Sequence, residues 1–303
     1  MPNIWTHMLF CEELIDNIGQ SSPIARQEKH LNLGAQGPDP FFYHNFWPWK
    51  KEQKVNEVGS LLHTEKCGDF MMDLIISANN YTNQTKAYVF GFVTHHILDR
   101  NTHPYIHYKA GFEGNKHQLF EVIIDTLLME RFRSFKTWKA PVYKEIDVGK
   151  KLDSEICELM HESISRHYII QEESTQYIQE SYRDMKRALR VLYDPYGWKN
   201  AVLSSFISSF SHQPIRQNKD YLNDNKDPWF HPATKEPSKE SFIQLFDKAK
   251  HEGEEIMKVV IDYWQSPSPS KESKLRTLVR NVSYDTGKEL TLGLTNRYCE
   301  PIV

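Results

Sequence analysis

The segment from Thr94 to His107, THHILDRNTHPYIH, sets histidine and aspartate at helical spacing. His95, Asp99 and His103 fall at i, i+4 and i+8, so on a helix all three project from one face. HQLFEVIID repeats the device with His117, Glu121 and Asp125. The two triplets start 22 residues apart, which fits two successive helices offering imidazole and carboxylate to one space. Zn²⁺ takes such N and O donors at about 2 Å, and facing helices can cage one or more ions. A shared carboxylate can bridge two of them. One HxxxD or HxxxE pair alone is ordinarily an exposed hydrogen-bonded pair. Two triplets set among Val93, Ile97, Leu98, Phe120, Ile123 and Ile124 point instead to metal, because polar groups on apolar helices must be satisfied somewhere. His96 lies about 100° round the helix from His95 and is read as a supporting or surface residue. His107, beyond Pro104 and off the expected helix, is a rival to His103.

These triplets need helices, and the apolar periodicity supplies them. Met8, Cys11, Leu14, Ile15 and Ile18 follow a 3.6-residue period, with Gly19 as a stop. A helix is predicted from about Val55 to Asn79, a third from Gln84 to His103, ending at Pro104, and a fourth from Lys116 to Phe132. Further helices are expected near 151–168, 174–193, 197–210 and 239–264. Between the first two lies LNLGAQGPDPFFYHNFWPWKK, whose glycines and prolines mark a loop. The polar stretch from Ser211 to Lys239 reads as a lid or surface loop. SPSPSKES after Trp264 reads as a linker, and the last 30 residues as an irregular or hairpin tail. The expectation is an all-α, multi-helix bundle over 1–264, its metal cluster among the N-terminal helices. Residues 265–303 belong to the same domain or are loosely attached.

Composition narrows the function. The chain has 303 residues, 39% hydrophobic and 25% charged, enough for a sizeable core. With 37 Lys plus Arg against 40 Asp plus Glu, nucleic acid is an unexpected partner. No apolar run reaches 18 residues, so no transmembrane span is expected. The first twenty residues, with Glu12, Glu13 and Asp16, do not read as a signal peptide, and the four scattered cysteines read as free thiols. Both readings suggest a cytoplasmic location. Of 14 histidines, nine lie within the first 117 residues, where the carboxylate triplets also are.

IWTHMLFCEEL, GAQGPDPFFYH, LLHTEKCGDFM, FGFVTHHILDRNTHPYIH and HQLFEVIID together resemble the zinc-dependent phospholipase C family. These are bacterial all-α metallohydrolases related to the single-strand-specific zinc nucleases. The resemblance covers roughly residues 1–130. It implies metal ligands at His7, Asp39, His63, His95, Asp99, His103, His117 and Glu121, with Asp99 bridging two ions and Asp39 also the general base. Secreted members use a mature N-terminal Trp as a ligand, whereas this chain starts MPNIW, so two or three zinc ions are expected. Such a cluster suits phosphodiester hydrolysis, since zinc lowers the pKa of bound water to about 7 and paired ions stabilise attacking and leaving oxygens. Asp125 is a candidate to orient a ligand histidine, or a surface carboxylate. The aromatics of FFYHNFWPW either rim the site, with transient membrane-surface contact, or anchor the loop; His44 there is an unfavoured ligand candidate. The expected substrate is a small phosphodiester or phospholipid head group. The alternatives are a related zinc nuclease, a di-iron bundle, or a metal-binding protein without catalysis.

Overall fold

The computed structural model describes residues 4–18, 22–47, 49–50 and 54–303, without the side chains of 203–206. Gly19 and Pro48 lie outside the described residues. Eleven α-helices make up the described chain: α1 (Ile4–Ile18), α2 (Glu28–Gly34), α3 (Lys54–Thr64), α4 (Cys67–Ala78), α5 (Asn83–Ala110), α6 (Lys116–Arg133), α7 (Ser154–His167), α8 (Gln176–Leu192), α9 (Trp198–Ile207), α10 (Phe242–Gln265) and α11 (Pro269–Val279). Two-residue strands β1 (Trp229–Phe230) and β2 (Pro237–Ser238) pair antiparallel. The all-α expectation holds.

α5 is the axis of the molecule, with α1, α2, α6 and α10 packed round it. It starts at Thr82, whose hydroxyl accepts the Thr85 amide. It does not stop at Pro104, as the sequence suggests, but runs on to Ala110. A proline inside a helix costs about 3 kcal/mol, partly because the carbonyl four residues back loses its donor. Here that carbonyl belongs to Arg100, and Gly287 of the tail lies directly against it: a Cβ at Gly287 would come within 2.2 Å of the oxygen. Gly287 also has φ of +61°, so glycine suits the position twice over. Packing of the tail on the proline break offsets the local cost and carries His107 onto the helix.

The predicted helix from Val55 to Asn79 is two helices. Lys66 adopts φ of +47°, which ends one and starts the other. The Tyr168 hydroxyl takes the Glu65 carbonyl at the break (2.7 Å). Periodicity cannot reveal such a turn when both halves bury the same kinds of residue. α10 follows its sequence pattern: Ser241 and Gln244 form a capping box, and Phe242, Leu245, Phe246, Ala249, Ile256 and Val260 face inward. Phe246 meets Phe10 of α1 edge-on, with centroids 5.3 Å apart. Full burial of each such ring is worth about 1.5–3 kcal/mol.

The stretch from Ser211 to Lys239 is mostly irregular but pinned: Tyr221 and Trp229 are buried, and the Tyr105 hydroxyl donates to the Tyr221 carbonyl (2.8 Å). The SPSPSKES segment is not a linker. Ser268 caps α11, whose Leu275 and Val279 enter the same core as α5 and α10. The rest of the tail takes the irregular form, with a single bridge between Val282 and Glu289.

Candidate metal centre

Asp99 stands among side chains from four helices and one turn. From its own helix come His95, His103 and His107; from α1 comes His7, from α3 His63, and from α6 His117 and Glu121. A single 3₁₀ turn, Asp39–Tyr43, brings Asp39. Gly37, with φ of +51°, lets that turn pass over His95, where a Cβ would come within 2.4 Å of the ring.

The two Asp99 oxygens divide their neighbours. Oδ1 is 3.2 Å from His7 Nε2 and 3.2 Å from His103 Nε2. Oδ2 is 2.9 Å from His95 Nε2 and 3.9 Å from His63 Nε2. Asp39 Oδ1 is 3.5 Å from His63 Nε2. Beyond Asp99, Glu121 Oε1 is 3.0 Å from His117 Nε2 and 3.5 Å from His103 Nε2. His95 and Asp99 thus share a group with His7; Asp39 and His63 form one with His95, and His103, His117 and Glu121 another. All eight residues implied by the resemblance lie at one place.

Two imidazoles are aimed by the main chain. His95 Nδ1 donates to the Ala35 carbonyl (3.0 Å) and His63 Nδ1 to the Gly59 carbonyl (2.7 Å). A carbonyl only accepts, so each Nδ1 carries a proton, and in the neutral ring each Nε2 turns its lone pair into the cluster. Charges are set by competition. Burial pushes the Asp99 carboxyl up, but His103, His95 and His7 around it outweigh that and hold it well below the usual carboxylate range. Glu121 behaves alike: burial raises it, and His117 beside it helps bring it far down. Asp39 also ends below its ordinary value, burial being outweighed by His95 and His63. His7 is lowered by burial and then by His95. For His95 and His103 burial opposes protonation, yet the carboxylates win and both are raised.

Zinc fits this donor set. Ionised carboxylates and imidazole Nε2 atoms converge at 2.9–3.9 Å, while bonds of about 2.1 Å to a tetrahedral ion place its ligands roughly 3.4 Å apart. The imidazoles and carboxylates pair with one another, and an ion would take the imidazole lone pairs and the carboxylates together. The cluster opens on a cavity of about 340 Å³ rimmed by Phe42 and Phe112. A larger cavity, about 820 Å³, lies on the other face of α6 against Leu119, Val122 and Ile123 and holds no part of the cluster.

Three candidates take other roles. His96 is no part of the centre: its Nε2 donates to the Val282 carbonyl (3.1 Å) and its ring stacks on Tyr284 at 4.3 Å. Burial, then Arg100, drives its pKa well below normal, so it is neutral. Among the described residues, Asp125 has no hydrogen bond to a histidine of the cluster. It accepts the Trp5 and Thr6 amides (3.1 and 2.9 Å), the Thr6 hydroxyl (2.8 Å) and His212 Nε2 (3.0 Å). It satisfies the first turn of α1 from another helix, and so fixes His7 only through the backbone. His44 pairs with Glu180 of α8 at 3.3 Å. Among the loop aromatics, Phe41 is buried against Tyr177 and acts as an anchor, whereas Trp49 is 70% exposed.

Asp285 escapes sequence reasoning altogether. It stands in VSYDTGK, in no apolar period, and reaches the cavity because the tail clasps α5. Arg100 holds the Val279 carbonyl (2.5 Å), and Tyr284 N–H donates to the His63 carbonyl (3.1 Å).

The family model for zinc dependent phospholipase C matches residues 6–190. Neither the curated proteins nor the solved structures offer a match. With three fifths of its length matched, this chain belongs to the zinc-dependent phospholipase C family. It is a zinc-dependent hydrolase of the phosphodiesterase type, and its helical clusters suit several ions.

Proposed function

We propose that this enzyme cleaves the phosphodiester of a phospholipid head group or of a small molecule resembling one, with His7, Asp39, His63, His95, Asp99, His103, His117 and Glu121 as zinc ligands. The observation that carries the reading is Asp99, whose two oxygens face different histidines. That is the disposition of a carboxylate shared between ions. Zinc held there would acidify a water and neutralise a phosphoryl oxygen.

The chain's own groups do the rest. Asp39, ionised through the neutral range and at the cavity wall, is placed to take a proton from the attacking water. His95 and His63 are held to single tautomers by main-chain carbonyls, which keeps their Nε2 atoms directed at the site. Phe42 and Phe112, at the cavity edge, give an apolar rim that suits glycerol or acyl carbons next to a phosphate. Phe112 is 47% exposed and Trp49 more so, which supports transient contact with a membrane surface. No helix among the described residues is long and apolar enough to cross a membrane. A cytoplasmic setting is part of this proposal, supported by free thiols at Cys11, Cys67 and Cys157.

The test is hydrolysis by untagged, zinc-loaded protein of short-chain phosphatidylcholine, mixed vesicles, a chromogenic phosphodiester and single-stranded DNA. Turnover of the lipid or chromogenic ester, lost on chelation and regained with zinc, is expected. Cleavage of DNA alone would overturn the substrate, and inactivity on all four would overturn catalysis.

A further inference from the structure

His107 and Asp285 are left over once the eight ligands are placed. His107 is the last member of the α5 stripe, and both its ring nitrogens are buried without a hydrogen-bond partner among the described residues. An imidazole left so is costly, because burial removes its water without replacing it. Asp285 Oδ1 lies 3.6 Å from His107 Nε2 and 3.6 Å from His103 Nδ1. Those spacings are too long for hydrogen bonds. They match the separation of roughly 3.4 Å between ligands of a tetrahedral ion. His103, His107 and Asp285 form a group of possible ligands, and Asp285 lies outside the residues that the family model matches. Hydrogen bonding of Asp285 to His103 alone would leave His107 unexplained.

We propose that His107, Asp285 and the Nδ1 side of His103 form an outer site for a zinc-like divalent cation at the mouth of the cavity, sharing His103 with the inner ligands. The inference rests on the reading above that His103, His117 and Glu121 hold an ion. A neutral imidazole has one lone pair to give. His103 therefore serves the inner ion through Nε2 or the outer one through Nδ1, not both at once. Filling the outer site draws His103 from the inner ion, so excess zinc inhibits the enzyme that limiting zinc activates.

The experiment is equilibrium dialysis of the full chain against increasing Zn²⁺, with zinc per chain read by atomic emission and turnover read in parallel. Wild type is expected to bind its tight ions and then one weaker equivalent, with turnover falling as that equivalent fills. His107→Ala and Asp285→Asn should each lose the weak equivalent and the inhibition while keeping the tight zinc. Should His107→Ala fail to fold, the shape-conserving Asp285→Asn reads the same site. The proposal is overturned if wild type binds nothing beyond its tight ions, if both variants keep the weak equivalent, or if either loses tight zinc at limiting metal. Absence of any tight zinc in wild type would instead overturn the ligand reading on which it rests.

Discussion

The centre has two halves built on different terms. The inner half, His7, Asp39, His63, His95 and Asp99, is buried, each residue exposed by no more than 6%, and meets the cavity only at its wall. Two of its histidines have their second nitrogen committed to a carbonyl. The outer half, His103, His107, His117 and Asp285, opens on the cavity, with Asp285 exposed by 34%. There His103 Nδ1, His107 and His117 Nδ1 have no hydrogen-bond partner among the described residues. A buried set of charges holds only if it is balanced, because unpaired buried charge is costly. A half-open set can exchange ligands with solvent or substrate. The inner half is thus the more rigidly held, with Asp39 at the cavity wall, and the outer half the more open to solvent.

Removing the pivot is the harshest test of that contrast. Asp99→Asn keeps the shape but deletes the charge shared by four histidines. It should release zinc from both halves and bring turnover to background, as read by metal analysis and assay. Zinc loss from one half only would show that the halves do not share a carboxylate.

Asp39→Asn should separate holding from reacting. Loss of a positioned base typically lowers rate by about 10²–10⁴, with most zinc and helix content retained. A variant that loses its zinc in proportion to its activity would make Asp39 a structural ligand only.

At the rim, His103→Ala should cost more tight zinc than His107→Ala, since only His103 faces both Asp99 and Glu121. The reverse order would exchange their roles.

Acidification should follow a defined sign. His95 and His103 are raised above 6.5 in the metal-free protein, so zinc must displace protons from them and its affinity should climb as pH rises through neutrality. Metal-free stability should run the other way for these two groups. Their contribution is complete below 6.5 and fades as pH climbs through their raised values. Thermal melts with and without zinc at several pH values read both, and a zinc-induced shift that shrinks with rising pH would contradict the assignment.

The smallest effect on chemistry is expected from Asp125→Ala. It strips the Trp5 and Thr6 amides and His212 of their acceptor, each unmet group costing about 1–3 kcal/mol. The melting temperature should fall while turnover per folded, zinc-loaded molecule changes little. A large loss per folded molecule would mean that α1 cannot place His7 without it.

Much of the inner half is legible in the sequence. His95 and Asp99 are one turn apart, and helical spacing alone puts them on one face; α6 likewise begins at Lys116 as its period requires. The helix break at Lys66, the passage of α5 through Pro104 and the turning of Asp125 towards α1 were not legible. Each depends on a partner far away in sequence: the Tyr168 hydroxyl, Gly287, and the amides of Trp5 and Thr6.

The sequence by itself determined the all-α class, the donor types and the residues that share a helical face, because those follow from local period and side-chain chemistry. Tertiary structure alone decided that Asp99 stands between histidines of three helices, that His96 leaves the site to hold the Val282 carbonyl, and that Asp285 enters it. The physical reason is one of range. Period acts over a few residues, whereas the tail reaches the site only because Arg100, His96 and Tyr284 satisfy buried polar groups across roughly 180 to 220 positions of chain.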